Sequence, residues 1–254
     1  MAALSCSKFE RGIEAKMLQE GALEILQVTG KGLSDSSASM KGGPAEPISL
    51  ANMLGARTIL NLTTCFDERT TYDHAVELIT ECISRLTQYM LSSASGITAV
   101  RGILVQALCN ISRYENNRAR MISQGVVGTL FKSWKKSKSG AAPSKDLIML
   151  EHAAAALILI LSNCKGELRV TMIRQKAVQL LDAISSTTSS GESAIGKGIH
   201  EATATATSGS TAKMGNEIRQ KCAQALGNLA SGGHGDGRSA TSVLPAILKL
   251  AENL

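Results

Sequence analysis

The chain has 254 residues and a formal net charge of +6, and 44% of its residues are hydrophobic, enough apolar surface for a sizeable core. Aromatic residues make up only 3%, so aliphatic side chains must fill the interior, which suits helix-on-helix packing better than a β-sandwich. We therefore expect an all-α protein. A charge-free apolar run of about 18 residues and a secretory signal are both absent from the sequence, so we expect it in the cytoplasm or nucleus, without a membrane span.

Helical segments recur along the chain, each with a long apolar helix that carries an asparagine or a substitute for it, followed by a turn residue. In chain order these pairs are Cys6 and Gly21, Asn61 and His74, Asn110 and Gly125, Asn163 and Lys176, and Asn228 and Ser242. The two members of a pair are 15, 13, 15, 13 and 14 residues apart. This regular spacing predicts a single domain 1–254 with a partial repeat over 1–28 and repeats over about 47–95, 97–136, 146–186 and 214–254.

The central unit, from Gly102 to Phe131, predicts three consecutive helices. Apolar residues recur at three-to-four-residue spacing up to Ile111, and a short second helix places Met121 and Ile122 inward. Gly125 suits the next turn because glycine adopts positive φ without steric cost. The third helix is expected to run from Val126 to about Phe131.

Three segments rich in Ser, Thr, Gly and Ala separate these units, at 29–46, 136–145 and 184–213. They contain few residues able to bury apolar surface, so the sequence predicts flexible loops there. Within the last segment, Gly191 to Gly198 nearly matches a phosphate-binding loop through Lys197. Gly198 stands where a hydroxyl should reach Mg²⁺ and no strand precedes it, so we interpret this stretch as a linker.

The central unit resembles an armadillo repeat. The matching residues are Ala107-Leu108-Cys109-Asn110-Ile111, Asn117-Arg118-Ala119-Arg120-Met121-Ile122 and Gly125. The resemblance implies a right-handed armadillo-like α-solenoid whose longest helices line a concave groove for an extended peptide. In that family the motif asparagine pairs with the ligand backbone.

By resemblance, a ladder of groove asparagines would consist of Asn61, Asn110, Asn163 and Asn228. The alternative is that each asparagine only ties the end of its own helix to the next turn. The sequence supports both interpretations equally.

Importin alpha, the nuclear-import adapter of this family, carries a tryptophan four residues before the asparagine, and the indole holds a ligand lysine by cation–π contact. The equivalent positions here are Arg57, Gln106, Leu159 and Gln224. Binding of basic localisation signals is therefore disfavoured. A groove with Arg57, Gln106 and Gln224 would sooner accept an acidic or neutral segment.

Residues 101–138 contain eight Lys or Arg but only one acid, Glu115. Most of them form a basic patch made of Arg118, Arg120, Lys132, Lys135, Lys136 and Lys138. Its lysines are expected to run off the third helix into a loop. The patch would suit phosphate or an acidic partner, but lysines also accumulate at helix C-termini because of the helix dipole, and we favour this second explanation. Without an array of interleaved aromatic side chains, nucleic-acid binding is not expected.

The residues that could carry chemistry are dispersed. Six cysteines lie apart without a C-x-x-C pair, mostly on apolar helix faces, which favours buried free thiols. The histidines, at positions 74, 152, 200 and 234, lie in different units without metal-ligand spacing. We expect no metal, no cofactor and no catalysis.

The sequence thus predicts a non-catalytic protein-interaction scaffold that holds an extended peptide or a partner subunit along the groove. The stretch from Ala15 to Gly32 is also similar to repeats of UCS-type myosin chaperones, which hold a client's motor domain. A client chaperone and a nuclear-transport adapter are therefore the alternatives. Because the chain starts within a long helix and stops on an apolar one, we expect it to belong to a longer chain or assembly.

Overall fold

The computed structural model describes residues 50–64, 71–89, 97–138, 145–195 and 205–231. These ranges form nine helices joined by turns or by undescribed residues: α1 Leu50–Thr64, α2 Thr71–Tyr89, α3 Ile97–Ile111, α4 Glu115–Ser123, α5 Val126–Lys138, α6 Lys145–Leu161, α7 Glu167–Arg174, α8 Ala177–Ile195 and α9 Thr205–Ser231. The expected all-α class is confirmed for this part of the chain, which contains no strand. The predicted partial repeat 1–28, the predicted loop 29–46 and residues 232–254 lie outside it.

The helices pack in two rows. In the first, α1 packs on α3, α3 on α6 and α6 on α9, and we call this row the long-helix row. In the second, α2 contacts α5 and α5 contacts α8, while α2, α5 and α8 also pack against α3, α6 and α9 respectively. The short helices α4 and α7 contact each other. The core lies between the rows, and it is mostly aliphatic.

The turn between the second and third helix of a unit is the same in two successive units. Gly125 has φ 81° and Lys176 has φ 75°. The N–H of Thr129 donates to the Gly125 carbonyl at 3.1 Å, and the N–H of Leu180 donates to the Lys176 carbonyl at 2.9 Å. The predicted positive-φ turn at Gly125 is confirmed, and Lys176 takes the equivalent conformation without the freedom of glycine.

Hydroxyl side chains near the ends of the long helices identify equivalent positions in successive units. Thr63, Ser112 and Ser162 each donate to the carbonyl three residues earlier, at 2.6, 2.8 and 2.7 Å. Counting back two residues from these hydroxyls gives Asn61 in α1, Asn110 in α3 and Ile160 in α6.

The register predicted for the third unit is therefore wrong by three residues. Asn163 lies in the turn after α6, which ends at Leu161, whereas Ile160 occupies the helix position equivalent to Asn110. The position equivalent to Gln106 is likewise Ala156, and not Leu159 as the sequence suggested.

Two predicted loops are shorter than expected. The segment 184–213 is helical over 184–195 and again from Thr205, so only 196–204 lies outside the described residues. The third helix of the central unit continues past Phe131 to Lys138, so of the predicted loop 136–145 only 139–144 lies outside the described residues. Ser133, Trp134 and Ser137 are buried along it, and this spacing of small and aromatic side chains lets the lysine-rich segment pack as a helix.

Candidate binding face

The exposed side of the long-helix row is the candidate functional surface. With Asn61, Asn110, Ile160 and Asn228 as reference positions, the residues two, three and six places earlier are buried in all four helices. The reference residues and those four and seven places earlier are exposed or half-buried. The four helices therefore carry one repeated pattern, which places their accessible side chains on the same side of the row.

We call this surface the open face. It comprises Leu54, Arg57, Asn61, Ile103, Gln106, Asn110, Arg113, Met149, His152, Ala153, Ala156, Ile160, Asn163, Glu217, Lys221, Gln224 and Asn228. Arg57, Gln106 and Gln224 are exposed on it, each four residues before an asparagine. The structure thus brings these predicted groove residues onto one surface, while Leu159 is half-buried beside it.

Two of the predicted asparagines connect neighbouring long helices. Asn110 Nδ2 in α3 donates to Thr63 Oγ1 in α1 at 3.1 Å. Asn228 Nδ2 in α9 donates to Ser162 Oγ at 3.0 Å and to Asn163 Oδ1 at 3.1 Å, just beyond α6. These contacts differ from the expected tie within one helix end, because they join one unit to the next.

The side-chain carbonyls of these two asparagines are not used by the contacts between helices. Within the described part of the chain, neither Asn110 Oδ1 nor Asn228 Oδ1 accepts a hydrogen bond. Both residues are half-buried rather than enclosed. Each therefore offers an acceptor to a ligand while its amide nitrogen stays tied to the fold.

A polar centre on this face is composed of Cys109, Arg113, His152 and Lys221, which come from α3, the turn after it, α6 and α9. Cys109 Sγ donates to the Ala153 carbonyl at 3.5 Å. Lys221 Nζ lies 2.5 Å from His152 Nε2. An ammonium can only donate, so this bond requires a neutral imidazole with its proton on Nδ1. No local sequence pattern marks this centre, because its residues come from separate parts of the chain.

The ionisation of the polar centre follows from burial. Burial raises the pKa of the Cys109 thiol to about 12, although Lys221 and Arg113 both act to lower it. Burial, and then Lys221, lower the pKa of His152, against the opposing effect of Glu217. The thiol therefore stays protonated and the imidazole neutral near pH 7, which does not suit nucleophilic catalysis.

Positive charge predominates on the open face. Its cations are Arg57, Arg113 and Lys221, and its acid is Glu217, whose Oε2 lies 3.5 Å from His152 Nε2. Among the residues that the structure describes, neither Arg57 nor Arg113 has a carboxylate partner.

The predicted basic patch is split between different roles. Arg118 donates from Nε to the Ser112 carbonyl at 2.8 Å and from Nη2 to the Arg113 carbonyl at 3.1 Å, so it caps the end of α3. Lys138 Nζ lies 5.2 Å from the centre of the Trp134 ring and donates to Thr187 Oγ1 at 3.0 Å.

The rest of the patch lies apart from the open face. Arg120 is half-buried on α4, and Lys132, Lys135 and Lys136 are exposed on α5. Since α5 belongs to the second row of helices, these lysines are not part of the open face.

Two charged side chains are enclosed in the core instead. Glu151 is 1% exposed, and its Oε1 accepts the indole N–H of Trp134 at 3.1 Å. Arg101 is also 1% exposed, and it donates to the Tyr89 carbonyl and to Ser137 Oγ at the ends of α2 and α5. Both link helices of different rows, and neither is accessible to a ligand.

Comparison of the chain with protein-family models, with curated proteins and with solved structures finds no match. None of the helices in the described ranges is long and apolar enough to cross a membrane. The same ranges contain no group of three or more His, Cys, Asp or Glu residues that could hold a metal ion.

Proposed function

We propose that this chain is a right-handed armadillo-like α-solenoid that acts as a non-catalytic interaction scaffold in the cytoplasm or nucleus. Its ligand is an extended peptide, or an extended segment of a partner subunit, lying across the open face. The observation that carries this proposal is the repeated pattern of accessible residues along α1, α3, α6 and α9, with asparagine at the same position in three of the four helices.

The asparagines would pair with the peptide backbone. Packed helices lie about 8–10 Å apart, and an extended chain advances about 3.3 Å per residue. One step along the row therefore spans about three peptide residues. A peptide N–H that meets Asn110 Oδ1 would be followed, further along, by another that meets Asn228 Oδ1.

Apolar side chains would supply the contact area that backbone pairing cannot. Leu54 is 40% exposed and Met149 is 47% exposed, and Ile103 is half-buried between them in the row. Apolar residues spaced among polar ones are typical of protein-binding surfaces. We infer that the peptide carries aliphatic residues that cover these positions.

The chaperone and transport alternatives stay hypotheses. The stretch from Ala15 to Gly32 that resembles chaperone repeats lies outside the described residues. At the positions where importin alpha carries tryptophan, this chain has Arg57, Gln106, Ala156 and Gln224, so the departure from that adapter persists in the observed register.

The test is site-specific photocrosslinking in cell extract. A photoreactive residue replaces Gln106 on the open face or, as the control, Lys135, which is exposed on α5. The segment captured from position 106 is sequenced, synthesised as a peptide and titrated against the wild-type chain and against the double variant Leu54→Gln, Met149→Gln. We expect binding to wild type and clearly weaker binding to the double variant, because the variant removes exposed apolar contact area from the open face without changing its charge. Equal capture from both positions, or peptide binding that the double variant leaves unchanged, would refute the proposal.

A further inference from the structure

We propose that the open face binds an acidic peptide, and that an Asp or Glu side chain of this peptide lies between Arg113 and Lys221, beside α6, which packs against both α3 and α9. This inference rests on the proposed function and specifies the chemistry of its ligand.

The contacts within the polar centre bring the two cations together. Lys221 extends from α9 to His152 on α6, and Cys109 on α3 contacts Ala153, the next residue of α6. Arg113 follows Cys109 by four residues and lies in the turn just past the end of α3. Lys221 thus approaches the contact between Cys109 and α6 from α9, while Arg113 follows that contact along the chain.

The electrostatic environment of the Cys109 thiol supports this placement. Both Lys221 and Arg113 favour its ionised form, although burial dominates and the pKa rises to about 12. One sulfur atom thus experiences both positive charges. A ligand carboxylate beside this thiol would be attracted by both Lys221 and Arg113. The protonated thiol is uncharged and does not compete with it.

Both cations keep unused donors. An ammonium has three N–H groups, and Lys221 uses one of them on His152. The guanidinium of Arg113 is exposed and makes no hydrogen bond within the described residues. A carboxylate can accept from an arginine through both oxygens and still accept from a lysine, which gives short charge-assisted bonds.

A basic peptide would be rejected at the same place. The imidazole of His152 is neutral and carries no negative charge. Glu217 Oε2 lies 3.5 Å from the same imidazole nitrogen that Lys221 contacts, so it offsets part of the charge of Lys221 but not that of Arg113. A lysine or arginine of the ligand would still meet a net positive charge, and like-charge contacts reduce affinity.

The experiment starts with a displayed library of random dodecapeptides selected on the wild-type chain. We expect the selected peptides to share Asp or Glu at one position and to bind the Leu54→Gln, Met149→Gln double variant more weakly than the wild-type chain. In a fluorescence anisotropy titration, Arg113→Gln combined with Lys221→Gln should weaken binding of the synthetic peptide about tenfold or more, since each cation should donate a charge-assisted hydrogen bond to the acid.

Two controls make the result specific. Lys132→Gln combined with Lys135→Gln removes the same charge from α5 and should leave the affinity unchanged. Replacing the shared acid of the peptide by its amide should cause the same loss as the double variant, and the two changes together should add little more. Because glutamine at position 221 can still donate to His152, thermal denaturation should show both double variants folded. Arg113→Gln alone repeats the test at an exposed turn residue.

The possible failures are distinguishable. Peptides that bind the Leu54→Gln, Met149→Gln variant more weakly than the wild type, but that share no acid or are insensitive to the changes at 113 and 221, would overturn this inference and leave the scaffold proposal standing. A selection that yields no peptide, or only peptides whose affinity is the same for the Leu54→Gln, Met149→Gln variant, would overturn both.

Discussion

Replacing Glu151 by glutamine should change how the stability of the protein depends on pH. The Glu151 carboxyl is 1% exposed and accepts the indole N–H of Trp134 at 3.1 Å. Burial raises its pKa from 4.5 to about 7, although the Trp134 bond and the charge of Lys138 act in the opposite direction. The side chain lies near Cys222, whose pKa it helps to raise. The fold therefore favours the protonated acid.

The sign of the effect follows from the raised pKa. Below pH 4.5 the Glu151 carboxyl is protonated in both the folded and the unfolded chain, so folding is not penalised. Between pH 4.5 and about 7 the unfolded chain loses the proton and the folded chain keeps it, so the free energy of unfolding falls as pH rises. A tenfold difference in proton affinity between the two states corresponds to about 1.4 kcal/mol, so the full loss above pH 7 is on the order of 3 kcal/mol.

Glutamine at position 151 cannot ionise, and its oxygen still accepts the indole N–H. Burying its N–H₂ group adds a cost that does not depend on pH, so the informative quantity is the difference between variant and wild type at each pH. In urea titrations, this difference should move in favour of Glu151→Gln by roughly 2 kcal/mol between pH 5 and pH 8. The lowered pKa of His152 has the opposite pH trend, but it is present in both proteins and cancels.

The single tryptophan reports the transition directly, because it is the residue that contacts Glu151. Its emission in the folded wild type should also titrate near pH 7 and should be flat in the variant. As a matched control, Glu115→Gln removes an exposed carboxylate from the first turn of α4. Parallel pH profiles for wild type and Glu151→Gln would show that Glu151 ionises normally in the folded chain and would refute the argument.

Three further changes test other parts of the fold. Arg101→Ala should lower the free energy of unfolding in urea by roughly 3 kcal/mol, because a fully buried side chain and its bonds to the ends of two helices are lost; a loss below about 1 kcal/mol would contradict this. Gly125→Ala should lower the free energy of unfolding and Lys176→Gly should raise it, each by about 1 kcal/mol or less, because both residues have positive φ; thermal denaturation would show the two opposite shifts. Effects of the same sign would exclude that explanation. Asn110→Ala and Thr63→Val should each cost about 1 kcal/mol and together little more, because they remove one shared hydrogen bond. Full additivity in a double-mutant cycle would show that this bond contributes nothing.

Much of the central unit could be predicted from its sequence, because local signals and packing agree there. The apolar spacing up to Ile111 matches a helix that ends at Ile111, and Met121 and Ile122 are fully buried as expected. Gly125 has the positive φ that its position implied. In such segments the residue pattern and the tertiary contacts favour the same structure.

The helices α5 and α8 extend further than the sequence predicts, into segments that are poor in apolar residues. The helix α8 begins with Val178, Leu180 and Leu181 packed in the core and then continues into a Ser/Thr-rich segment. Once packing has formed the first turns, each further residue adds a hydrogen bond without a new nucleation cost. Composition alone cannot reveal this, because the stabilising contacts lie in the preceding turns.

The register of α6 could not be predicted from its asparagine. The Ser-Asn pair after Leu161 resembles the asparagine motif, but the burial of Leu157, Ile158 and Leu161 sets the helix three residues earlier. Core burial decides register because each of these side chains contributes roughly 2 kcal/mol, more than a half-exposed amide can. The contact between Lys221 and His152 could be predicted only in this observed register. With Ile160 and Asn228 as equivalent positions, His152 lies eight residues and Lys221 seven residues before the reference residue.

In the proposed complex, this register gives the open face two kinds of contact. A peptide meets asparagines on α1 and α3, then Ile160 on α6, and then Asn228 on α9. The side chain of Ile160 cannot pair with a peptide backbone, so the ladder is interrupted where Arg113 and Lys221 approach α6. Backbone pairing is indifferent to peptide sequence, whereas a carboxylate held by two cations discriminates strongly against basic residues. Specificity should therefore be concentrated at the step from α3 to α9, and the asparagines would mainly fix the direction and position of the peptide.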